Sequence, residues 1–206
     1  LFRSLNTGAV HLNEQELRNC LYRGKLNTFL QEEAKNSQWL EMLGLKEPHK
    51  RMADRELLLR FLTLSTNWDR DSKEVLGYKG NMKSFMNGFM KVHQSGSVNI
   101  NYFKALCDET IDKVYHVYGV DAFRRLNEDG TATPINRAIM DALMIASIPY
   151  TKERLMSKKE EIRDRLFAEL NDNTEFRLST LTSTSDTKVM KFRISYWCDV
   201  IDDFMR

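Results

Sequence analysis

The stretch RMADRELLLRFLTLST, residues 51–66, decides the fold. Leu57, Leu58, Phe61, Leu62 and Leu64 make it apolar over more than one face. A surface helix carries one apolar stripe, whereas a helix apolar over most of its circumference lies inside a protein. This segment is therefore read as a central helix, and a central helix needs others to cover it. Upstream, Pro48 marks a break, and Ser37 caps a short turn through Trp39, Leu40 and Leu43 that Gly44 stops. Downstream, residues 67–78 read as a surface loop. GNMKSFMNGFMKVHQ, residues 80–94, then puts Met82, Phe85, Met86, Phe89 and Met90 inward. Met side chains are adaptable, so a binding groove is conceivable here, but core packing is the ordinary use.

The rest of the chain follows the helical period. Asn99 or a neighbour caps a long helix that Gly119 ends. Residues 118–134 read as a short helix and a loop. Pro134 sits at a plausible first helical position for INRAIMDALMIAS, residues 135–147, and Pro149 breaks that helix. Residues 151–170 form an amphipathic stretch. STLTSTSDT, residues 179–187, is a polar loop before a last helix at about 187–205, with Val189, Phe192, Ile194, Trp197, Val200, Ile201 and Phe204 inward. The expected fold is all-α: a compact multi-helix domain of about eight or nine helices over residues 1–206, with any β-structure confined to the first dozen residues. Only three prolines occur, and few glycines, which disfavours a turn-rich β-architecture.

Composition excludes more than it assigns. Hydrophobic residues are 42% and charged residues 29% of 206, an ordinary globular balance. The net charge of +2 comes from 31 basic and 29 acidic side chains, so any basic face must arise from segregation of charge. Cys20, Cys107 and Cys198 are odd in number, widely spaced and set among apolar neighbours, which reads as buried free thiols in a reducing compartment. The chain has no CxxC or Cys/His cluster for zinc, no phosphate-binding GxxxxGK[ST], and no GxSxG or GxGxxG. No apolar run reaches the ~18 residues of a membrane span. A cytoplasmic location without a membrane partner is expected. No nucleophile–base pair is apparent, and this chain alone is expected to be non-catalytic and to hold no cofactor.

Two stretches carry candidate function. Lys188, Lys191 and Arg193 follow the Ser/Thr loop, where hydroxyls and cations together suit a nucleic-acid phosphate backbone. Lys188 and Lys191 share a helix face, and DNA is the candidate partner there. The other stretch is FRSLNTGAVHLNEQELRNCLYRG, residues 2–24: an extended start, a Thr7-Gly8 turn, and a helix that Asn13 and Glu16 open with a capping box, ending at Gly24.

That stretch resembles the segment F-x-x-L-N-x-G…L-N-x-Q-E-[LI]-R-N of DGQQR-motif domains. These are ParB-related nuclease/NTPase-like modules of GmrSD-type, modification-dependent restriction enzymes and phage-defence proteins. Phe2, Leu5, Asn6, Gly8, Leu12, Asn13, Gln15, Glu16, Arg18 and Asn19 carry the match. RMADRELLLRFL, YKGNMKSFMNGFM and FRISYWCDVI resemble later helical parts of such proteins, loosely beyond residue 92. No DGQQR occurs here. The resemblance thus implies the helical part of a larger protein whose upstream α/β domain bears that motif and is a partner of this one. NTP and a divalent metal would serve the full-length endonuclease. Asn6 would face the nucleotide pocket, and Gln15, Glu16 and Arg18 would brace the junction. A non-catalytic interaction or scaffold module without a nucleic-acid role is the alternative.

Overall fold

A computed structural model describes residues 11–95, 99–127, 129–172 and 174–206. Among them eleven helices and one small hairpin occur, so the all-α expectation holds with a somewhat higher helix count. The helices are α1 (Glu14–Leu21), α2 (Lys25–Glu33), α3 (Ser37–Leu43), α4 (Ala53–Ser65), α5 (Met82–Ser95), α6 (Ile100–Tyr118), α7 (Arg137–Ser147), α8 (Lys152–Met156), α9 (Lys159–Asn171), α10 (Thr174–Ser179) and α11 (Thr187–Phe204).

The innermost element is α7, in which every residue from Ala138 to Ser147 is buried. It packs most extensively on α11 and also on α4 and α6. α4 is buried from Leu57 through Leu64, as its many-sided apolar pattern requires. α2, α3 and α5 pack on α4 or α6, and α8, α9 and α10 pack on α6 or α11. One contiguous core cluster runs from Leu26 to Met205. No described helix is long and apolar enough to cross a membrane.

Helix ends follow local chemistry. Asn13 Oδ1 accepts from the backbone N–H groups of Gln15 and Glu16, and Glu16 Oε2 accepts from Asn13 N at 2.7 Å. This reciprocal box satisfies otherwise orphaned donors and is worth ~1 kcal/mol. Asn36 rather than Ser37 caps α3, and Gly44 closes it in the left-handed region at φ 69°. Asn136 caps α7, placing Pro134 ahead of the helix rather than at its first turn. Gly24 precedes α2 instead of ending α1, which stops at Leu21.

Further expectations are corrected. Residues 68–69 and 74–75 form an antiparallel hairpin, β1 (Trp68–Asp69) and β2 (Glu74–Val75), so β-structure is not confined to the chain's start. Ion pairs hold it against α11: Lys73–Asp199 at 2.6 Å, Lys191–Glu74 at 2.8 Å, and Arg70 to Asp202. Residues 120–127 and 129–133 make turns and a Leu126–Ala132 bridge in place of a short helix. The amphipathic stretch 151–170 divides into α8 and α9. All three cysteines are free, but Cys20 is exposed, because α1 turns that side away from the core.

Candidate functional site

α1 is attached to the helical body by polar side chains. Gln15 and Arg18 are three residues apart and share one helix face. They are 1% and 2% exposed. Arg18 Nε donates to Asn87 Oδ1 on α5 at 2.8 Å, its Nη1 donates to Gln15 Oε1 at 3.1 Å, and Nη1 lies 3.9 Å from Glu56 Oε1 on α4. Burial pushes the Arg18 pKa down, with Glu56 opposing that shift. Gln15 Nε2 is buried with no hydrogen-bond partner among the described residues, so this edge retains one uncommitted donor.

The outer side of α1 is held by charge. Arg51 donates to both Glu16 oxygens, at 3.2 and 2.9 Å, and to His11 O at 2.7 Å. The Arg51 hydrogen bond holds the Glu16 carboxyl below its usual range. Asn13 Nδ2 donates to Arg51 O at 2.9 Å, and Lys83 pairs with Glu14 at 2.6 Å. Asn27 Nδ2 donates to Asn19 Oδ1 at 2.9 Å. The turn before α4 and helices α2, α4 and α5 therefore all grip α1 through hydrogen bonds or ion pairs.

Compared with family models, curated proteins and solved structures, the chain matches none. Its own geometry must carry the reading. Gln15 and Arg18 bond to each other on the buried face of α1, whereas Glu16 acts on the outer side through Arg51. Asn6 lies outside the described residues. In the sequence Asn87 and Glu56 look like ordinary surface polar residues, and Arg51 reads with Asp54 and Arg55 as one charged helix face; in the structure Arg51 reaches across to Glu16.

The expected DNA face is smaller than the sequence suggests. Lys188 and Lys191 are exposed on α11, and Lys191 is paired with Glu74. Arg193 is not with them: it is 0% exposed. Its Nη1 donates to Ser179 O at 2.8 Å, and its Nη2 to Thr184 O at 3.3 Å and Asp141 Oδ2 at 3.4 Å. Arg60 donates to the same carboxylate through Nε and Nη2 at 2.8 and 2.7 Å. Burial lowers the Arg193 pKa against the pull of Asp141, whereas for Arg60 the desolvation is outweighed by its two-pronged Asp141 bond and the pKa rises.

Some of the loop's donors are also committed. Ser179, Thr180 and Thr182 hydroxyls donate to carbonyls of Phe176, Arg177 and Leu178. Asp186 caps α11 by accepting from Lys188 N and Val189 N. A carboxylate already occupies the place where a phosphate would meet the helix N-terminus. Among the described residues no group of three or more His, Cys, Asp or Glu side chains could hold a metal ion.

Proposed function

We propose that this chain is the helical part of a DGQQR-type, modification-dependent restriction or phage-defence nuclease. Its part in that protein is to couple an upstream α/β nuclease/NTPase domain to the helical body. One observation supports this reading most. Of the residues that carry the resemblance, Asn13, Glu16, Arg18 and Asn19 bond α1 to the segments behind it, and Gln15 braces Arg18. A motif built from such residues is a rigid joint, able to transmit a displacement of whatever precedes it. NTP, divalent metal and cleavage chemistry belong in this reading to the upstream domain.

The gene sequence upstream of Leu1 tests the family, which requires a DGQQR motif in a preceding α/β segment. In that full-length product, Arg18→Met is expected to lower NTP-dependent cleavage about 5-fold or more. Helicity at 222 nm should stay within a few per cent of the parent. The isolated chain should neither hydrolyse NTP nor cut plasmid. A segment without the motif, or a variant cleaving as well as its parent, sinks the proposal and leaves the scaffold alternative.

DNA contact from this chain, in the same reading, comes from Lys188 and Lys191. Each phosphate neutralised contributes about 0.9 to the log–log salt slope. Lys188→Ala with Lys191→Ala should therefore flatten the slope of duplex binding by at most roughly 2 on any sequence. Stability should barely move, since exposed ion pairs contribute little. Unchanged affinity and slope would assign DNA contact elsewhere.

A further inference from the structure

α5 presents two different faces. Met82, Met86 and Met90 are buried in the core, so the methionines form packing rather than a groove. The side carrying Phe85, Gly88, Phe89 and Val92 lines an open hollow of about 760 Å³, with Tyr102 and Phe103 of α6 also in its wall. That volume is within the range of small-molecule sites. Its wall is a set of rings that fix one another. Phe89 and Phe103 lie 5.9 Å apart, and His93 sits 4.3 Å from Phe89 and 5.4 Å from Phe103, edge-on to the latter. Burial lowers the pKa of His93, so at neutral pH it adds an uncharged ring to that wall. Tyr102, 53% exposed, stands at the rim 5.8 Å from Phe103.

Gly88 sharpens the picture. Glycine inside a helix is less favourable than alanine. A close neighbour would explain it, yet a Cβ built there meets nothing within 4 Å. Packing does not require this glycine: it is exposed at the edge of the hollow that it helps line. The rim supplies polarity. Asn81 and Asn99 spend their Oδ1 atoms capping α5 and α6, which leaves their Nδ2 donors uncommitted among the described residues. Lys79 is the one lysine or arginine among the lining residues and has no ion-pair partner among the described residues.

We infer that the hollow between α5 and α6 binds a small planar aromatic anion: one or two rings lying on the Phe89–His93–Phe103 wall, with a single acidic group turned to Lys79. Ring stacking and edge contacts would hold the flat body, and the lysine would orient it. This site stands independently of the coupling role of α1.

The probe is 8-anilinonaphthalene-1-sulfonate, a naphthalene carrying one sulfonate, titrated into the native chain. Saturable fluorescence enhancement with one site per chain is expected. Gly88→Leu fills the hollow and should weaken binding at least about tenfold, with the near-UV circular dichroism of a packed core retained. Val92→Trp serves as the second variant: Val92 is 69% exposed, so the change leaves the core alone and sets an indole over the same space. Lys79→Met should weaken the sulfonate probe by about fivefold and leave the uncharged 1-naphthol unaffected. Absence of saturable binding to the native chain overturns the inference. So does wild-type binding by both Gly88→Leu and Val92→Trp, which would place the probe in another hollow.

Discussion

Replacing Asp141 with alanine is expected to destabilise the protein by about 3–5 kcal/mol, the cost of leaving buried charges without their partner. Asp141 lies on α7, the innermost helix, and holds two guanidinium groups: Arg60 through both oxygens and Arg193 through one. Both arginines are buried, so water cannot take the place of the lost carboxylate. Against a typical domain stability of roughly 5–15 kcal/mol this is a large fraction. Asp141→Asn keeps the shape and one acceptor, and should cost less. Replacing the three together, Arg60→Met, Asp141→Leu and Arg193→Met, should recover much of the loss, because a buried ion cluster is often exchangeable for well-packed apolar groups. Urea denaturation of the four proteins checks the series. A loss below about 1 kcal/mol for Asp141→Ala would mean the arginines find other partners.

The same triad marks where the sequence misleads. Arg193 was grouped with Lys188 and Lys191 because it is basic and close to them in the chain. The phase of α11 argues otherwise. Met190, Arg193, Ile194, Trp197, Cys198 and Ile201, spaced three and four apart, form its buried stripe, with Val200 at the edge. Arg193 lies on that stripe, and Phe192, taken as the inward anchor, is only half-buried beside it. A second signal was present in α7, where Asp141 is the lone charge within a fully apolar run. A buried carboxylate implies a cation, but nothing local in the chain says that Arg60 and Arg193, 81 and 52 residues distant, will supply it.

Legibility follows the range of the determining contact. The Asn13–Glu16 capping box and the Gly44 stop depend on neighbours within a turn or so and are readable. The central character of α4 is readable from its many-sided hydrophobicity. The hairpin at 68–75 is not, since its strands are two residues each and its ion-pair partners lie on α11. Gln15, Glu16 and Arg18 are visible through their resemblance to a motif. Sequence alone does not reveal that Arg18 is among the largest fully buried side chains, because Asn87 and Glu56, which make that burial tolerable, are far along the chain.

Glu33 is expected to make the protein less stable at pH 8 than near pH 5. Its carboxyl, at the end of α2, is 5% exposed, and Oε1 has no hydrogen-bond partner among the described residues. Burial pushes its pKa from 4.5 up to about 7; Asp108 on α6 pushes in the same direction, while Lys104, 3.8 Å away, opposes both. The native state thus binds this proton more tightly than the unfolded chain. The resulting stabilisation is fully present below pH 4.5 and is lost as pH rises through about 7. At 1.36 kcal/mol per unit of pKa difference the change across that window is about 3 kcal/mol. Glu33→Gln removes the titration while keeping the side chain's shape and hydrogen-bonding capacity. It should raise stability at pH 8 by up to that amount, leave it nearly unchanged near pH 4.5, and flatten the profile between. Lys104 retains Asp108 as a partner at 2.8 Å in the variant, so it is not left unpaired. Urea midpoints at several pH values between 4.5 and 8.5, for both proteins, decide the matter. Parallel profiles would show that Glu33 ionises in the folded protein as easily as in the unfolded chain. A lower midpoint for Glu33→Gln at pH 8 would mean that the Lys104 attraction outweighs burial.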